Sequence, residues 1–120
     1  MDPILRRGID LFNRGEFFDA HEVLEDVWRA APAHEKTFLQ GLVQVAVSFH
    51  HYSHGNGTGA QSVLRRAITN LGAPRPQLAN FDLDALFETL SAWEAFLRGH
   101  GTLPPPPPRI RLVSYDSSQG

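Results

Sequence analysis

Apolar residues recur every three or four positions in five segments of this 120-residue chain, and glycine or proline separates most segments from the next. This spacing puts apolar side chains on one face of an α-helix, whereas no segment alternates with the period of two that a half-buried strand requires. Asp2 before Pro3 predicts the start of the first helix, and Asp82 predicts the start of the fifth. The sequence therefore predicts an all-α protein: a compact five-helix bundle of two antiparallel, tetratricopeptide-like hairpins plus a C-terminal helix.

The second, third and fourth helices are predicted mainly from the spacing of their apolar residues. We expect the second helix to span residues 17–31 and the third helix residues 35–54. Thr58 and Gln61 have the spacing of a capping box and predict the start of the fourth helix. The third helix is apolar on most sides, which predicts a central position with neighbours on more than one flank.

A run of five prolines at residues 104–108 divides the chain into a single helical domain, residues 1–103, and an extended tail, residues 104–120. Consecutive prolines favour a stiff polyproline II rod that rises about 3 Å per residue. Two interpretations of the tail are open. It is either a strap whose apolar segment 110–113 lies on this protomer or a neighbour, or a ligand for a protein partner that recognises proline motifs.

Composition limits the classes of function. The net charge of −2 offers no basic face to a phosphate backbone, which disfavours nucleic-acid binding. The longest apolar stretch, residues 42–49, is far shorter than the roughly 20 residues that a membrane helix needs. The lack of cysteine excludes disulfides and cysteine-ligated metals. We therefore expect a cytoplasmic protein that binds neither nucleic acid nor membrane.

The aromatic content predicts self-association. Eight phenylalanines and two tryptophans are many for the interior of a small bundle. We therefore expect a homodimer that buries some of Phe18, Trp28, Phe96 and the segment 110–113 between protomers.

Residues 17–28, FFDAHEVLEDVW, concentrate polar groups within the predicted second helix. His21 and Glu25 are four residues apart and therefore share one flank of this helix, whereas Glu22 leans towards water. The three side chains are the candidates for catalysis, although the pattern assigns a catalytic role to none of them.

The third helix carries a polar strip that we expect to face this flank. Because a tight connection joins the two helices, the numbers of facing residues should sum to about 66. His21 then lies level with Gln44, and Glu25 lies level with Gln40. Gly41 would let the two backbones approach. The predicted polar layer between the second and third helices consists of His21, Glu25, Gln40, Gln44 and His51.

Three interpretations of this layer are open. It is a structural network that determines helix register, a divalent-metal site, or a metal-free acid–base pair formed by His21 and Glu25. In the metal interpretation His21 and Glu25 are ligands, and a histidine of the HHYSH stretch at residues 50–54 completes the site. The H-E-x-x-E pattern lacks the second histidine of the zincin motif, so it does not make Glu22 a metalloprotease base.

Three stretches of the sequence, FNRGEFFDAHEVLEDVW, FLQGLVQVAVSFHHY and GNGTGAQSVLRRA, resemble the small bacterial and archaeal helical proteins called domain of unknown function 309. The resemblance implies an all-α fold and a cytoplasmic setting, and it implies no established activity. The positions that carry the pattern are His21, Glu22, Glu25, Trp28, Gln40, Gly41, Gln44 and Ala60.

Two functions from different classes follow from these observations. The first is a helical scaffold or interaction module, and the alternative is a metal-dependent, hydrolase-like enzyme that uses His21 and Glu25. An enzyme requires a solvent-reached pocket around these two residues, whereas an interaction module requires an exposed apolar patch or a self-complementary face.

Overall fold

The computed structural model describes residues 1–73 and 80–113. The prediction of an all-α five-helix bundle is confirmed. None of the described helices is long and apolar enough to cross a membrane. The helices are α1 (Pro3–Asn13), α2 (Phe17–Ala30), α3 (Ala33–Ser53), α4 (Gly57–Leu71) and α5 (Leu83–Leu97).

Side-chain caps define the starts of α1 and α5 as predicted. The Asp2 carboxylate accepts a hydrogen bond from the backbone N–H of Ile4 at 2.8 Å, and Pro3 occupies the first helical position. The Asp82 carboxylate accepts from the N–H of Ala85 at 3.1 Å. Each cap satisfies a backbone donor that has no partner within the helix.

The start of α4 differs from the prediction. Asn56 is the cap, and its side-chain oxygen accepts a hydrogen bond from the N–H of Gly59 at 2.9 Å. The helix therefore begins at Gly57, and the predicted capping box of Thr58 and Gln61 is wrong. Asparagine caps a helix at least as well as threonine does, so the helix begins after the earlier of the two residues.

The long helix α3 is central, as its apolar pattern predicts. It packs against α2 on one side and α4 on the other, while α1 packs on α2 and α5 packs on α4. The ring of Phe49 on α3 also meets Trp93 on α5 edge-on, with 5.1 Å between the ring centres. Four helix pairs, each of two helices that are consecutive in the chain, therefore pack together.

Close helix contacts occur at two glycines. A Cβ atom at Gly8 of α1 would lie 2.7 Å from the Leu24 side chain of α2. A Cβ atom at Gly41 of α3 would lie 2.8 Å from the Leu71 side chain of α4. The prediction that Gly41 brings α3 close to α2 is therefore wrong, because this glycine faces α4.

Candidate functional sites on α2, α3 and the C-terminal segment

His21 and Glu25 lie together on the outer side of α2. Their side chains are 26% and 35% exposed, and 4.0 Å separates His21 Nε2 from Glu25 Oε2. The carboxylate of Glu25 also accepts a hydrogen bond from Arg29 at 2.8 Å. Arg29 in turn binds Asp26 at 2.9 Å. Glu25 therefore belongs to a row of ion pairs along one helix, and these pairs do not reach α3. Its neighbour Glu22 is exposed and makes no described ion pair.

The glutamines of α3 lie elsewhere. Gln44 accepts a hydrogen bond from Asn70 of α4 at 2.7 Å, and Gln40 is exposed. Ser48, which is fully buried, donates to the carbonyl oxygen of Ala60 at 2.6 Å, also on α4. Gln44 and Ser48 thus share with Gly41 the face of α3 that packs on α4. The five residues of the predicted layer therefore do not meet in one place, because the sum of residue numbers sets the height along a helix but not the rotation about its axis.

His51, the fifth residue of the predicted layer, lies beside other histidines. Its ring centre is 6.3 Å from that of His50, and it is half-buried near the C-terminal end of α3. No group of three or more His, Cys, Asp or Glu side chains within residues 1–73 and 80–113 is placed to hold a metal ion. The predicted metal pair, His21 and Glu25, therefore has no third ligand of these types in that part of the chain.

Trp28 connects the end of α2 to the start of α3. The ammonium group of Lys36 lies 4.6 Å from the centre of the Trp28 ring, and it donates to the carbonyl oxygens of Trp28 and Arg29 at 2.6 and 3.2 Å. A cation at this position offsets the negative end of the helix dipole and satisfies carbonyls that have no intrahelical partner. The indole N–H of Trp28 is buried and has no described hydrogen-bond partner.

A second group of aromatic rings covers the surface between the start of α2 and the end of α3. The ring centre of Phe18 lies 6.0 Å from that of His21 and 5.4 Å from that of His50, although Phe18 is 50% exposed. The rings of His50 and His54 are closer still, with 4.3 Å between their centres. Beside them is an open groove of about 360 Å³, lined by Gly15 to Asp19, His50, Ser53 and His54.

The surroundings of His50 disfavour its charged form. Burial and the neighbouring histidines, His54 first and then His51 and His21, lower the pKa of His50 below its ordinary value of 6.5. The ring is therefore mainly neutral at pH 7, and its nitrogens are available as acceptors or ligands.

The C-terminal segment, residues 105–113, docks along the bundle in an extended form. The indole N–H of Trp93 donates to the carbonyl oxygen of Pro106 at 2.9 Å. The N–H of Asp82 donates to the carbonyl oxygen of Arg111 at 2.9 Å, next to an antiparallel bridge between Phe81 and Leu112. The sequence left a strap and a ligand for a protein partner as alternatives for the tail, and it indicated none of these contacts.

Asn13, the last residue of α1, binds the same segment at two points. Its side-chain N–H donates to the carbonyl oxygen of Ile110 at 2.9 Å, and its side-chain oxygen accepts from the N–H of Ile110 at 2.8 Å. The side chain of Ile110 is 2% exposed and belongs to the hydrophobic core. Ile110 and Leu112 thus pack on the bundle, whereas Val113 is 46% exposed. No sequence motif indicated Asn13, since a single asparagine at a helix end is typical of an ordinary C-cap.

The fold and these surfaces define a class: a small all-α bundle that holds an extended segment of its own chain. Residues 5–63 match the family described as domain of unknown function (DUF309). This match confirms the resemblance predicted from the sequence. The matched residues 5–63 include most of α1, all of α2 and α3, and the first part of α4. They include Phe18 and the histidines beside it, and they end before the docked segment.

A curated relative extends the comparison. The chain is 30% identical over 69 residues to a protein of Aquifex aeolicus (strain VF5) that is described as an uncharacterized protein. The matched part is 57% of this chain and 21% of the relative. The chain thus spans about a fifth of the length of that relative.

Proposed function

We propose that this chain is a helical interaction module that binds extended, proline-rich polypeptide segments. The observation that carries the proposal is the docking of residues 105–113, which α1, α5 and the residues before α5 hold by hydrogen bonds. Groove-bound peptides are recognised in the same way: main-chain hydrogen bonds contribute affinity, and buried side chains contribute specificity. The docked segment therefore serves as an internal example of the ligand.

The burial of the prolines supports recognition of a polyproline II rod. Pro108 is buried and Pro105 is half-buried, whereas Pro104, Pro106 and Pro107 are exposed. Polyproline II has three residues per turn, so residues 105 and 108 lie on the same side of the rod. The indole N–H of Trp93 donates to the carbonyl oxygen of Pro106. The neighbouring prolines have no backbone N–H that could compete for this carbonyl oxygen. Aromatic grooves that bind P-x-x-P segments recognise the same features.

Asn13 supports recognition that does not depend on the ligand's side chains. One amide group donates to and accepts from the backbone of a single residue, as an adjacent strand would. An extended segment can satisfy these two hydrogen bonds with any residue except proline at this position, because proline has no backbone N–H. The enclosed position of Ile110 then selects an apolar side chain two residues after Pro108.

The surroundings of Glu25 favour this function over the alternative, a metal-dependent hydrolase-like enzyme that uses His21 and Glu25. The carboxylate of Glu25 is engaged by Arg29 at 2.8 Å on the outer side of α2. The groove of about 360 Å³ nearby is lined by His50 and His54, and neither His21 nor Glu25 lines it. Arg29 occupies Oε1 of Glu25, which leaves Oε2, 4.0 Å from His21 Nε2, to act as a general base or a metal ligand.

The segment that we expect the site to bind from another molecule is the tail of a second copy, which has the same sequence. Gly99 and Gly101, with φ of 98° and 100°, turn the chain back between α5 and the prolines. If this turn opens, the stiff proline rod carries the tail away from its own bundle and towards a neighbour. The homodimer expected from the sequence would then form by exchange of tails, and each Asn13 would bind the partner's Ile110.

Peptide binding to the full-length chain tests the proposed function. The chain's own tail competes at an effective concentration in the millimolar range, so the site is best examined in Ile110→Ser, which weakens the docked tail. A fluorescent peptide with the sequence of residues 103–112, LPPPPPRIRL, should bind Ile110→Ser at least tenfold more tightly than wild type. Adding Asn13→Ala to Ile110→Ser should weaken binding at least tenfold.

A control peptide distinguishes recognition of the two prolines from nonspecific binding. It carries alanine in place of Pro105 and Pro108, and it should bind Ile110→Ser at least tenfold more weakly than the peptide LPPPPPRIRL does. Equal binding of both peptides by a variant that circular dichroism shows to be helical would refute the proposal. Indifference of the binding to Asn13→Ala would refute it as well.

Tail exchange has its own test, because the chain contains no cysteine. The exposed residues Asp10 of α1 and Arg109 of the tail line one groove. In the double variant Asp10→Cys and Arg109→Cys, a short bismaleimide should join these positions. Covalent dimers at high protein concentration indicate exchange, whereas cross-linking only within single chains refutes it.

A further inference from the structure

Two histidines at the C-terminal end of α3 lie one helical turn apart. His50 and His54 are four residues apart, so their side chains leave the helix on the same side. Their ring centres are 4.3 Å apart. Paired imidazoles at this spacing are able to approach one metal ion from the same direction.

The hydrogen bonds of His54 determine which nitrogen carries its proton. His54 Nδ1 lies 3.0 Å from the carbonyl oxygen of His50 and 3.2 Å from Ser53 Oγ. Ser53 donates its own proton to the His50 carbonyl at 2.8 Å, so its oxygen is free to accept. Because a carbonyl oxygen only accepts, the proton lies on Nδ1, and Nε2 of His54 presents a lone pair. The same arrangement, with one ring nitrogen donating to a carbonyl, orients metal-bound histidines in proteins.

His50 is available as the second ligand. Neither ring nitrogen of His50 has a hydrogen-bond partner among the described residues, and the ring packs beside Phe18 with 5.4 Å between centres. This packing restricts the rotamers of His50.

The groove beside these rings is also suited to a cation. It is lined by Glu16 and Asp19 in addition to His50, Ser53 and His54. Glu16 interacts with Arg14 at 3.4 Å, whereas Asp19 has no described ion pair. A carboxylate at the rim makes the local potential more negative and offers an acceptor to water bound by a metal.

We propose that His50 and His54 bind a divalent ion of the later transition metals, Cu²⁺, Ni²⁺ or Zn²⁺. Imidazole nitrogen is a preferred ligand for these metals, with bonds of about 2.0–2.1 Å to zinc. Two protein ligands leave the remaining coordination positions to water. The site is separate from the docked tail, so the proposal of metal binding does not depend on the proposed peptide binding.

Titration of the full-length protein without an affinity tag tests the site. Isothermal calorimetry with CuCl₂, NiCl₂ and ZnCl₂ should show one ion per chain, with Cu²⁺ bound most tightly, as the usual order of divalent affinities requires. His50→Ala and His54→Ala should each weaken binding at least tenfold. Ser53→Ala, which removes one acceptor from His54 Nδ1, should weaken it by less.

Matched controls identify where the ion binds. His34 and His100 are exposed histidines at other ends of the bundle, so His34→Ala and His100→Ala should leave the affinity unchanged. Glu25→Ala should also leave it unchanged. The Cu²⁺ electron paramagnetic resonance spectrum should show coupling to two imidazole nitrogens in wild type and to one in His54→Ala.

Three results would overturn the proposal. The first is binding that survives the double variant His50→Ala and His54→Ala. The second is equal weakening by the control variants, which indicates nonspecific binding to surface histidines. The third is a loss of binding in Glu25→Ala together with unchanged binding in His54→Ala, which would place the ion on α2 instead. Wild type should also melt at a higher temperature with the metal present, and the double variant should not.

Discussion

Asn13 and Ile110, 97 residues apart in the sequence, are joined by two hydrogen bonds between one side-chain amide and one peptide unit. The pair links the end of the first helix to the extended C-terminal segment. Ile110 is buried and Asn13 is half-buried, so water does not replace the bonds freely when either partner is removed. This contact connects the segment that follows the prolines to the helical bundle, and four predictions follow from it and from three other features.

Asn13→Ala should destabilise the protein by about 1–3 kcal/mol, because the N–H and carbonyl of Ile110 then lack partners. Urea unfolding followed by circular dichroism measures this loss as a lower midpoint. Asn13→Asp retains the acceptor but loses the donor, so its cost should be smaller. A midpoint equal to that of wild type in Asn13→Ala would show that these two hydrogen bonds contribute nothing to stability.

Gly41→Ala should also destabilise the protein, by about 1 kcal/mol, although alanine favours a helix more than glycine does. The new Cβ atom would lie 2.8 Å from Leu71 Cγ and 3.0 Å from the Leu71 backbone nitrogen, so α4 must move. Gly57→Ala is the matched control, because nothing lies within 4 Å of its Cβ position. Thermal unfolding should show Gly57→Ala to be neutral or stabilised by up to about 1 kcal/mol. The opposite order of the two variants would contradict the close contact between α3 and α4.

Glu25→Ala should cost only about 0.2–1 kcal/mol, the usual value of an ion pair at a solvated helix surface. The carboxylate is 35% exposed and binds Arg29 within its own helix. Glu22→Ala, which removes an exposed side chain, should change the free energy of unfolding even less. A loss above 2 kcal/mol in Glu25→Ala, measured in urea, would instead support the buried layer that the sequence predicted.

Acid should destabilise the protein through His50. Its pKa is lowered in the folded state by burial and by His54, His51 and His21. The unfolded chain therefore binds a proton first as the pH falls below 6.5. This part of the stability is complete above pH 6.5 and is lost between 6.5 and the lowered pKa of the folded protein.

The variant His50→Gln isolates this effect. Because Glu16 and Asp19 line the same groove and the other histidines also titrate, the useful quantity is the difference between wild type and variant. Urea unfolding at pH 8, 7, 6 and 5 should show wild type losing more stability than His50→Gln as the pH falls. Parallel curves would show that His50 titrates as it does in the unfolded chain.

Local sequence determined the helices of this protein. Asp2 with Pro3 and Asp82 begin α1 and α5 as predicted, because a cap needs only partners within a few residues. The all-α fold follows from the spacing of apolar residues for the same reason. Even the error at α4 is local, since Asn56 and Thr58 are alternative caps for one helix start.

Only the tertiary structure decided which surfaces meet. Because α3 is apolar on most sides, its sequence does not determine its rotation, and its packing between α2 and α4 turned Gly41 and Gln44 towards α4. His21 and Glu25 consequently remained on the outer side of α2. The contact between Asn13 and Ile110 has no local signal, because it depends on where five packed helices bring the two ends of the chain. Periodicity specifies the face that each helix buries, whereas its partner across that face depends on the packing of the whole bundle.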